Sequence, residues 1–201
     1  MNLPNQITVA RLILAVLFFI LISRFNVRDP NPRILDVCLI IFVVACLTDW
    51  LDGYLARRTN QVTALGRVLD PFVDKVLVCG AFVFFAGSGF VDSDGHNVTA
   101  VAPWMVVVIV GRELLVTGLR GFSEAQGRPF AADVFGKIKT ITQMITASVI
   151  MLLVAHAPSG ETRSLLVGGG EVLLWLTIAI TSYSGLNYLY KARAVLLDRH
   201  D

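Results

Sequence analysis

With 201 residues, 55% of them hydrophobic and only 16% charged, the chain falls well short of the roughly 25% charged residues of soluble domains. Its mean hydropathy of +0.70 excludes an ordinary water-soluble core and points to an integral membrane protein. A formal net charge of +2 gives no ground for a nucleic-acid partner, and Cys38, Cys46 and Cys79, odd in number and dispersed in apolar runs, argue against disulfides or a zinc site.

The first apolar segment, 7–23, overlaps the stretch NQITVAR. No basic residue precedes Arg11 and no A-x-A-like site follows the apolar core, so a retained span is expected and not a cleaved signal. A connection carrying Arg24, Arg28 and Arg33 leads to the second segment, 33–57. A loop with Arg57, Arg58 and Arg67 leads to the third, 70–89. The hairpin FVDSDGHNVTA at 90–100 holds no Lys or Arg, and its Asn97-Val98-Thr99 matches a short glycosylation pattern. The fourth segment, 100–119, is joined to the fifth, 138–157, by a connection with Arg120, Arg128, Lys137 and Lys139. The sixth, 172–190, follows a loop at 157–170 with Arg163 alone. Each segment can reach the length of about 20 residues that crosses a hydrocarbon core as a helix. The expected fold is all-α: a six-transmembrane-helix bundle forming a single membrane-embedded domain over 1–201.

Basic residues in the connections set the expected orientation. The loops at 57–67 and 119–139 and the C-terminal end, with Lys191, Arg193 and Arg199, belong at the cytoplasmic face, and the 90–100 and 157–170 loops opposite. The arginines of the 24–33 connection run against this pattern. On this arrangement Asp49 and Asp52, Asp70 and Asp74, and Arg112 and Glu113 all meet at one depth, near the cytoplasmic face.

An aspartate deep in a span costs roughly 2.5–3.5 kcal/mol, so four reach on the order of 10 kcal/mol at mid-membrane, comparable to the net stability of a domain. Their place near the loop lowers that figure without removing it. Asp49 and Asp52 are i,i+3 and Asp70 and Asp74 are i,i+4, which puts each pair on one helix face. Two antiparallel helices facing one another would then gather four carboxylates, and repulsion forbids this unless cations lie between them. Lys75 points about 100° away from Asp74 around the helix. Arg57 and Arg67 could form a structural ion-pair network instead. Hard divalent ions, Mg²⁺ or Mn²⁺, suit an all-carboxylate set and keep positions for substrate phosphates, and a two-metal site is the usual geometry for in-line displacement at phosphorus. Gly53, Ala56 and Gly66 leave room for a ligand beside the carboxylates, or equally for close helix packing. Pro71 implies either that the third helix starts near Asp70, whose charge the helix N-terminus would then stabilise, or that it kinks there.

The pattern Asp49-x2-Asp52-Gly53-x2-Ala56-Arg57-x8-Gly66-x3-Asp70-x3-Asp74 fixes eight residues over 26 positions. It resembles the complete signature of the CDP-alcohol phosphatidyltransferase family. The resemblance implies a six-helix membrane enzyme, commonly a homodimer in the lipid bilayer, that transfers a phosphatidyl group from a CDP-linked lipid to an alcohol and releases CMP. It implies that Asp49, Asp52, Asp70 and Asp74 hold two divalent cations, that Asp74 is also the base, and that Gly53, Ala56, Arg57 and Gly66 line the CDP-lipid site with these aspartates.

Outside the signature, NQITVAR (Asn5, Thr8, Arg11), GRELLVTGLR (Arg112, Glu113, Arg120) and GKIKT (Lys137, Lys139) are similar to bacterial family members that use CDP-diacylglycerol and glycerol 3-phosphate. Those basic and polar residues are then candidates for the acceptor phosphate. Glycerol 3-phosphate carries about two negative charges and needs cations at membrane depth. Competing readings are positive-inside anchoring for Lys137 and Lys139, an ion pair with Glu113 for Arg112, and snorkelling for Arg11. The same chemistry with inositol phosphate, serine or phosphatidylglycerol as acceptor is the alternative activity. A small ion transporter fits less well, because transporters place their sites near the bilayer midplane. A non-catalytic scaffold would tolerate loss of Asp74.

Overall fold

The computed structural model describes the backbone of residues 3–59, 64–127, 134–157 and 161–197, and the side chains of 8–48, 72–73, 75–127, 134–157 and 167–193. Among the described residues the fold is all-helical: α1 Leu3–Ile22, α2 Pro32–Thr59, α3 Ala64–Phe85, α4 Pro103–Ala125, α5 Val134–His156 and α6 Glu161–Leu197. A single 3₁₀ turn at Ser88–Phe90 and one isolated antiparallel bridge, Val91 to Asn97, shape the hairpin between α3 and α4.

Inward-facing positions recur at three- and four-residue intervals, as an amphipathic helix requires. In α1 the buried set is Thr8, Arg11, Ala15, Phe18 and Ile22; in α2 it is Leu35, Cys38, Phe42 and Ala45. In α3 Val73, Leu77, Ala81 and Phe85 lie on the buried face. The opposite faces are apolar too, with Ile40 61%, Val107 70% and Leu114 67% exposed. Large apolar residues on both the inner and the outer face suit a bundle in lipid and not one in water. By length and composition two helical stretches among the described residues, Val134–His156 and Val167–Arg193, can each cross a membrane, and Thr8–Ile22 and Lys75–Phe85 are shorter apolar helices.

Helix α1 packs on α2 and α3, α2 on α5, and α6 on both α4 and α5, while α3 touches α4 and α5. The α1–α2 connection, the α3–α4 hairpin and the end of α5 share one end of the bundle. There the Phe25 and Phe90 rings lie 5.0 Å apart and Phe85 and Phe90 5.5 Å apart. Val27 N–H donates to Gly89 O at 2.8 Å, and Asp36 Oδ1 meets His156 Nε2 at 2.6 Å. Arg28 Nε donates to Val91 O at 3.2 Å. An arginine that ran against the charge pattern is thus tied to the hairpin at this end. Asn97 Nδ2 and Thr99 Oγ1 donate to Phe85 O at 2.8 and 2.9 Å, capping a carbonyl that the end of α3 leaves without a helical donor. The glycosylation-like triplet is therefore a helix cap.

Helix boundaries differ from the sequence expectation, most of all where polar turns adjoin the apolar run. Helix α6 has 37 residues, about 55 Å at 1.5 Å per residue, where the apolar segment predicted 172–190. Hydropathy marks only the part of a helix that lipid would cover, and polar turns continue beyond it. Helix α3 begins at Ala64 and runs through Pro71, which excludes a start near Asp70. Asp70 then lies in the second turn, where the field of the helix terminus has faded.

Candidate active site

Going along each inward stripe toward the end opposite the hairpin, apolar residues give way to polar ones. Helix α1 passes from Ile22 and Phe18 to buried Arg11 and Thr8, α4 from Met105 and Ile109 to Arg112 and Glu113, and α5 from Met151 and Ile150 through Thr146 and Gln143 to Lys139. Helix α6 passes from Leu174 through Thr177 and Thr181 to Ser184 and Tyr188. Successive helices run in opposite directions, so these gradients place the polar residues together at one end.

The described centre of this polar end is built on α4, α5 and α6. Glu113 Oε1 accepts from Lys139 Nζ and, at 3.3 Å, from Arg112 Nη1; all three side chains are less than 10% exposed. Arg112 Nη2 donates to Ser184 Oγ at 2.6 Å, and Arg120 Nη2 donates to the Tyr188 hydroxyl at 2.7 Å. Arg112 Nε is buried and has no hydrogen-bond acceptor among the described residues. Below this cluster Gln143 Nε2 donates to Thr181 Oγ1 at 3.2 Å, and the Thr146 and Thr177 hydroxyls pair at 2.7 Å. Such side-chain bonds fix the register of α5 against α6 in a setting without water.

Of the acceptor-phosphate candidates, the structure brings Arg112, Arg120 and Lys139 together. Lys137 is exposed on α5, away from the inward stripe. Thr8 and Arg11 are buried on α1, 3% and 2% exposed, and the side chain of Asn5 lies outside the described residues. The structural reading of Arg112 as an ion-pair partner of Glu113 is also realised, and the two roles are compatible. An anion can draw on a guanidinium that a carboxylate already orients.

The side chains of Asp49, Asp52, Gly53, Ala56, Arg57, Gly66, Asp70 and Asp74 lie outside the described residues, although their backbone belongs to α2 and α3. By position alone, 49 and 52 lie four and seven residues beyond Ala45 on α2, and 74 and 70 lie three and seven residues before Leu77 on α3. Helices α2 and α3 touch each other only slightly among the described residues, each packing mainly on α1. Among the described residues no group of three or more His, Cys, Asp or Glu could hold a metal ion.

Sequence reasoning missed Ser184 and Tyr188. Both follow Thr177 and Thr181 at helical spacing inside an otherwise apolar span, a stripe that could have marked the inner face of α6. Glu113 was noted as a partner for Arg112. Its contact with Lys139 joins residues 26 apart in the chain and has no signature in spacing.

Comparison with known proteins identifies the family. Residues 1–183 match the family model described as CDP-alcohol phosphatidyltransferase. A Bacillus subtilis protein named CDP-diacylglycerol–glycerol-3-phosphate 3-phosphatidyltransferase is 38% identical over 198 residues, covering 94% of each chain. Proteins of the same name from Escherichia coli K12 and Rickettsia bellii are 34% identical over 205 residues and 33% identical over 187, covering 98% and 93% of each chain. The signature across α2 and α3, the match along most of the chain and the full-length relatives together show that this chain belongs to the CDP-alcohol phosphatidyltransferase family.

Proposed function

We propose that the protein transfers the phosphatidyl group of CDP-diacylglycerol to sn-glycerol 3-phosphate, forming phosphatidylglycerophosphate and CMP. The observation that carries the acceptor is the cluster on α4, α5 and α6, where Arg112, Arg120 and Lys139 outnumber the single carboxylate Glu113. The surplus of two cations matches the roughly −1.5 to −2 charge of a phosphate monoester. Arg112 Nε, with no acceptor among the described residues, is a further donor for it. Serine offers no such dianion, and inositol phosphate shares the phosphate but is bulkier.

The CDP-lipid belongs on α2 and α3, with Asp49, Asp52, Gly53, Ala56, Arg57, Gly66 and Asp70 around the pyrophosphate. An all-carboxylate donor set at i,i+3 and i,i+4 on two neighbouring helices fits two hard divalent cations, Mg²⁺ or Mn²⁺, to be held by Asp49, Asp52, Asp70 and Asp74. Such ions neutralise the pyrophosphate and the departing CMP. Asp74 accepts the proton of the acceptor hydroxyl as its oxygen attacks the phosphorus that bears diacylglycerol. A P–O bond forms to the acceptor while the P–O bond to CMP breaks in line. The family resemblance adds Asn5, Thr8 and Arg11 on α1 and the exposed Lys137 as further candidates for the acceptor phosphate.

The wider arrangement extends the same reading. The whole chain acts as one six-span domain in the cytoplasmic membrane, with the polar end at the cytoplasmic face and the hairpin outside. The loops beside the polar end hold most of the Lys and Arg, which supports this orientation. Homodimerisation is carried over from the family resemblance.

An acceptor panel tests the proposal: CMP release from CDP-diacylglycerol in detergent with Mg²⁺ or Mn²⁺, offered glycerol 3-phosphate, inositol phosphate, serine or phosphatidylglycerol. Glycerol 3-phosphate is expected to give the highest rate. If its rate stays at the blank, the acceptor assignment fails, and turnover with another acceptor replaces it.

A further inference from the structure

Tyr188 stands between two arginines that α4 holds two turns apart. Its ring centroid lies 5.5 Å from Arg112 Cζ and 5.3 Å from Arg120 Cζ, and its hydroxyl accepts from Arg120 Nη2 at 2.7 Å. The side chain is 2% exposed, so the aromatic face acts in a desolvated setting where cation–π attraction is strongest. Two guanidinium groups brought toward one ring repel each other, and long side chains relax by swinging apart. Here both are drawn to one ring. Arg112 is further fixed by Ser184 and by the close pass of α6, where a Cβ on Gly185 would lie 3.1 Å from Arg112 Cγ. Arg120 is exposed, and Tyr188 ties it to its buried neighbour. The approach from α5 is bare backbone: a Cβ on Gly136 would sit 3.6 Å from the Tyr188 hydroxyl and 3.9 Å from Arg112 Nη2.

We infer that Tyr188 is a positioning and specificity-determining residue, holding Arg112 and Arg120 at a set separation so that the pair receives a phosphate monoester in preference to an uncharged alcohol. This rests on the acceptor assignment proposed above. Tyr188 acts through the arginines and needs no contact with substrate.

Steady-state constants for both substrates in the detergent-solubilised full chain, measured for Tyr188→Phe, Tyr188→Leu, Arg120→Gln and the Tyr188→Phe/Arg120→Gln double variant, test it. Tyr188→Phe removes one hydrogen bond to a charged group, so KM for glycerol 3-phosphate is expected to rise about tenfold. Tyr188→Leu, which also loses the ring, is expected to raise it further, with kcat and KM for CDP-diacylglycerol within about twofold of the parent. The double variant is expected to be no worse than Arg120→Gln, because the two residues act as one unit. An unchanged acceptor KM in Tyr188→Phe, equal changes in both KM values, fully additive effects, or loss of folding in Tyr188→Phe would each overturn the inference. Arg120→Gln separates the two levels. If its acceptor KM is unchanged, the acceptor assignment itself falls. If that KM rises while Tyr188→Phe stays normal, only the positioning role falls.

Discussion

The two ends of this bundle are made from the same helices by opposite means. At the hairpin end, Phe18, Phe42, Phe82, Phe85 and Phe90 fill the interior, and the connections are pinned by backbone bonds such as Val27 to Gly89. At the other end the interior holds Arg11, Arg112, Glu113 and Lys139. Apolar packing is non-directional and tolerates neighbours of the right volume, whereas a buried charge is tolerable only when a partner meets it in a set geometry. With the site proposed at the polar end, the contrast teaches that stability and chemistry separate along the bundle axis: one end can be dense because the other carries the polar groups.

The largest expected effect that would break this separation is at Asp74. Asp74→Asn should lower CMP release by about a thousandfold or more, because on the proposed mechanism a base and a metal ligand disappear together. Detergent-solubilised yield and thermal unfolding should stay close to the parent. Equal activity would favour a scaffold, and a collapse in yield would show that the polar end also holds the fold.

Lys139→Met comes next. Glu113 keeps Arg112 at 3.3 Å, so its charge is not stranded, but one cation is gone from the acceptor cluster. KM for glycerol 3-phosphate should rise roughly ten- to a hundredfold, the equivalent of losing one hydrogen bond to a charged group. A fall in kcat with unchanged KM would move Lys139 out of substrate binding.

At the packed end the response should reverse. In Gly89→Ala the new Cβ would lie 2.7 Å from Phe25 O, a backbone atom that cannot step aside cheaply. The expected loss is about 1–3 kcal/mol of stability, read by unfolding in detergent, with both KM values unchanged. Altered acceptor kinetics would mean that the two ends are coupled. Thr146→Val gives the smallest effect: the 2.7 Å bond to Thr177 disappears, yet Thr177 still donates to Leu173 O, so about 0.6 kcal/mol is expected. A larger loss would make the polar ladder between α5 and α6 a principal support of the bundle.

Much of this was legible in the chain because lipid and charge leave strong marks on sequence. The six apolar segments correspond to six helices among the described residues, and in two of them, α5 and α6, a stretch is long and apolar enough to cross a bilayer. The paired aspartates and the family signature were visible because helical spacing puts residues three and four apart on one face. Helix ends were not legible: α3 starts before Asp70 and α6 extends well past 190, because polar turns outside the apolar run carry no hydropathy signal.

What the sequence determined by itself is the helical class, the carboxylate spacing on α2 and α3, and the presence of cations on α4 and α5. Only the tertiary structure decided that Glu113 joins Arg112 to Lys139, that Tyr188 from α6 meets Arg112 and Arg120 of α4, and that Asn97 and Thr99 cap α3. The physical reason is range. Spacing along one helix is a local property of its pitch, whereas contacts between residues 68 or 72 positions apart depend on how separate helices rotate and slide against one another, which no single segment encodes.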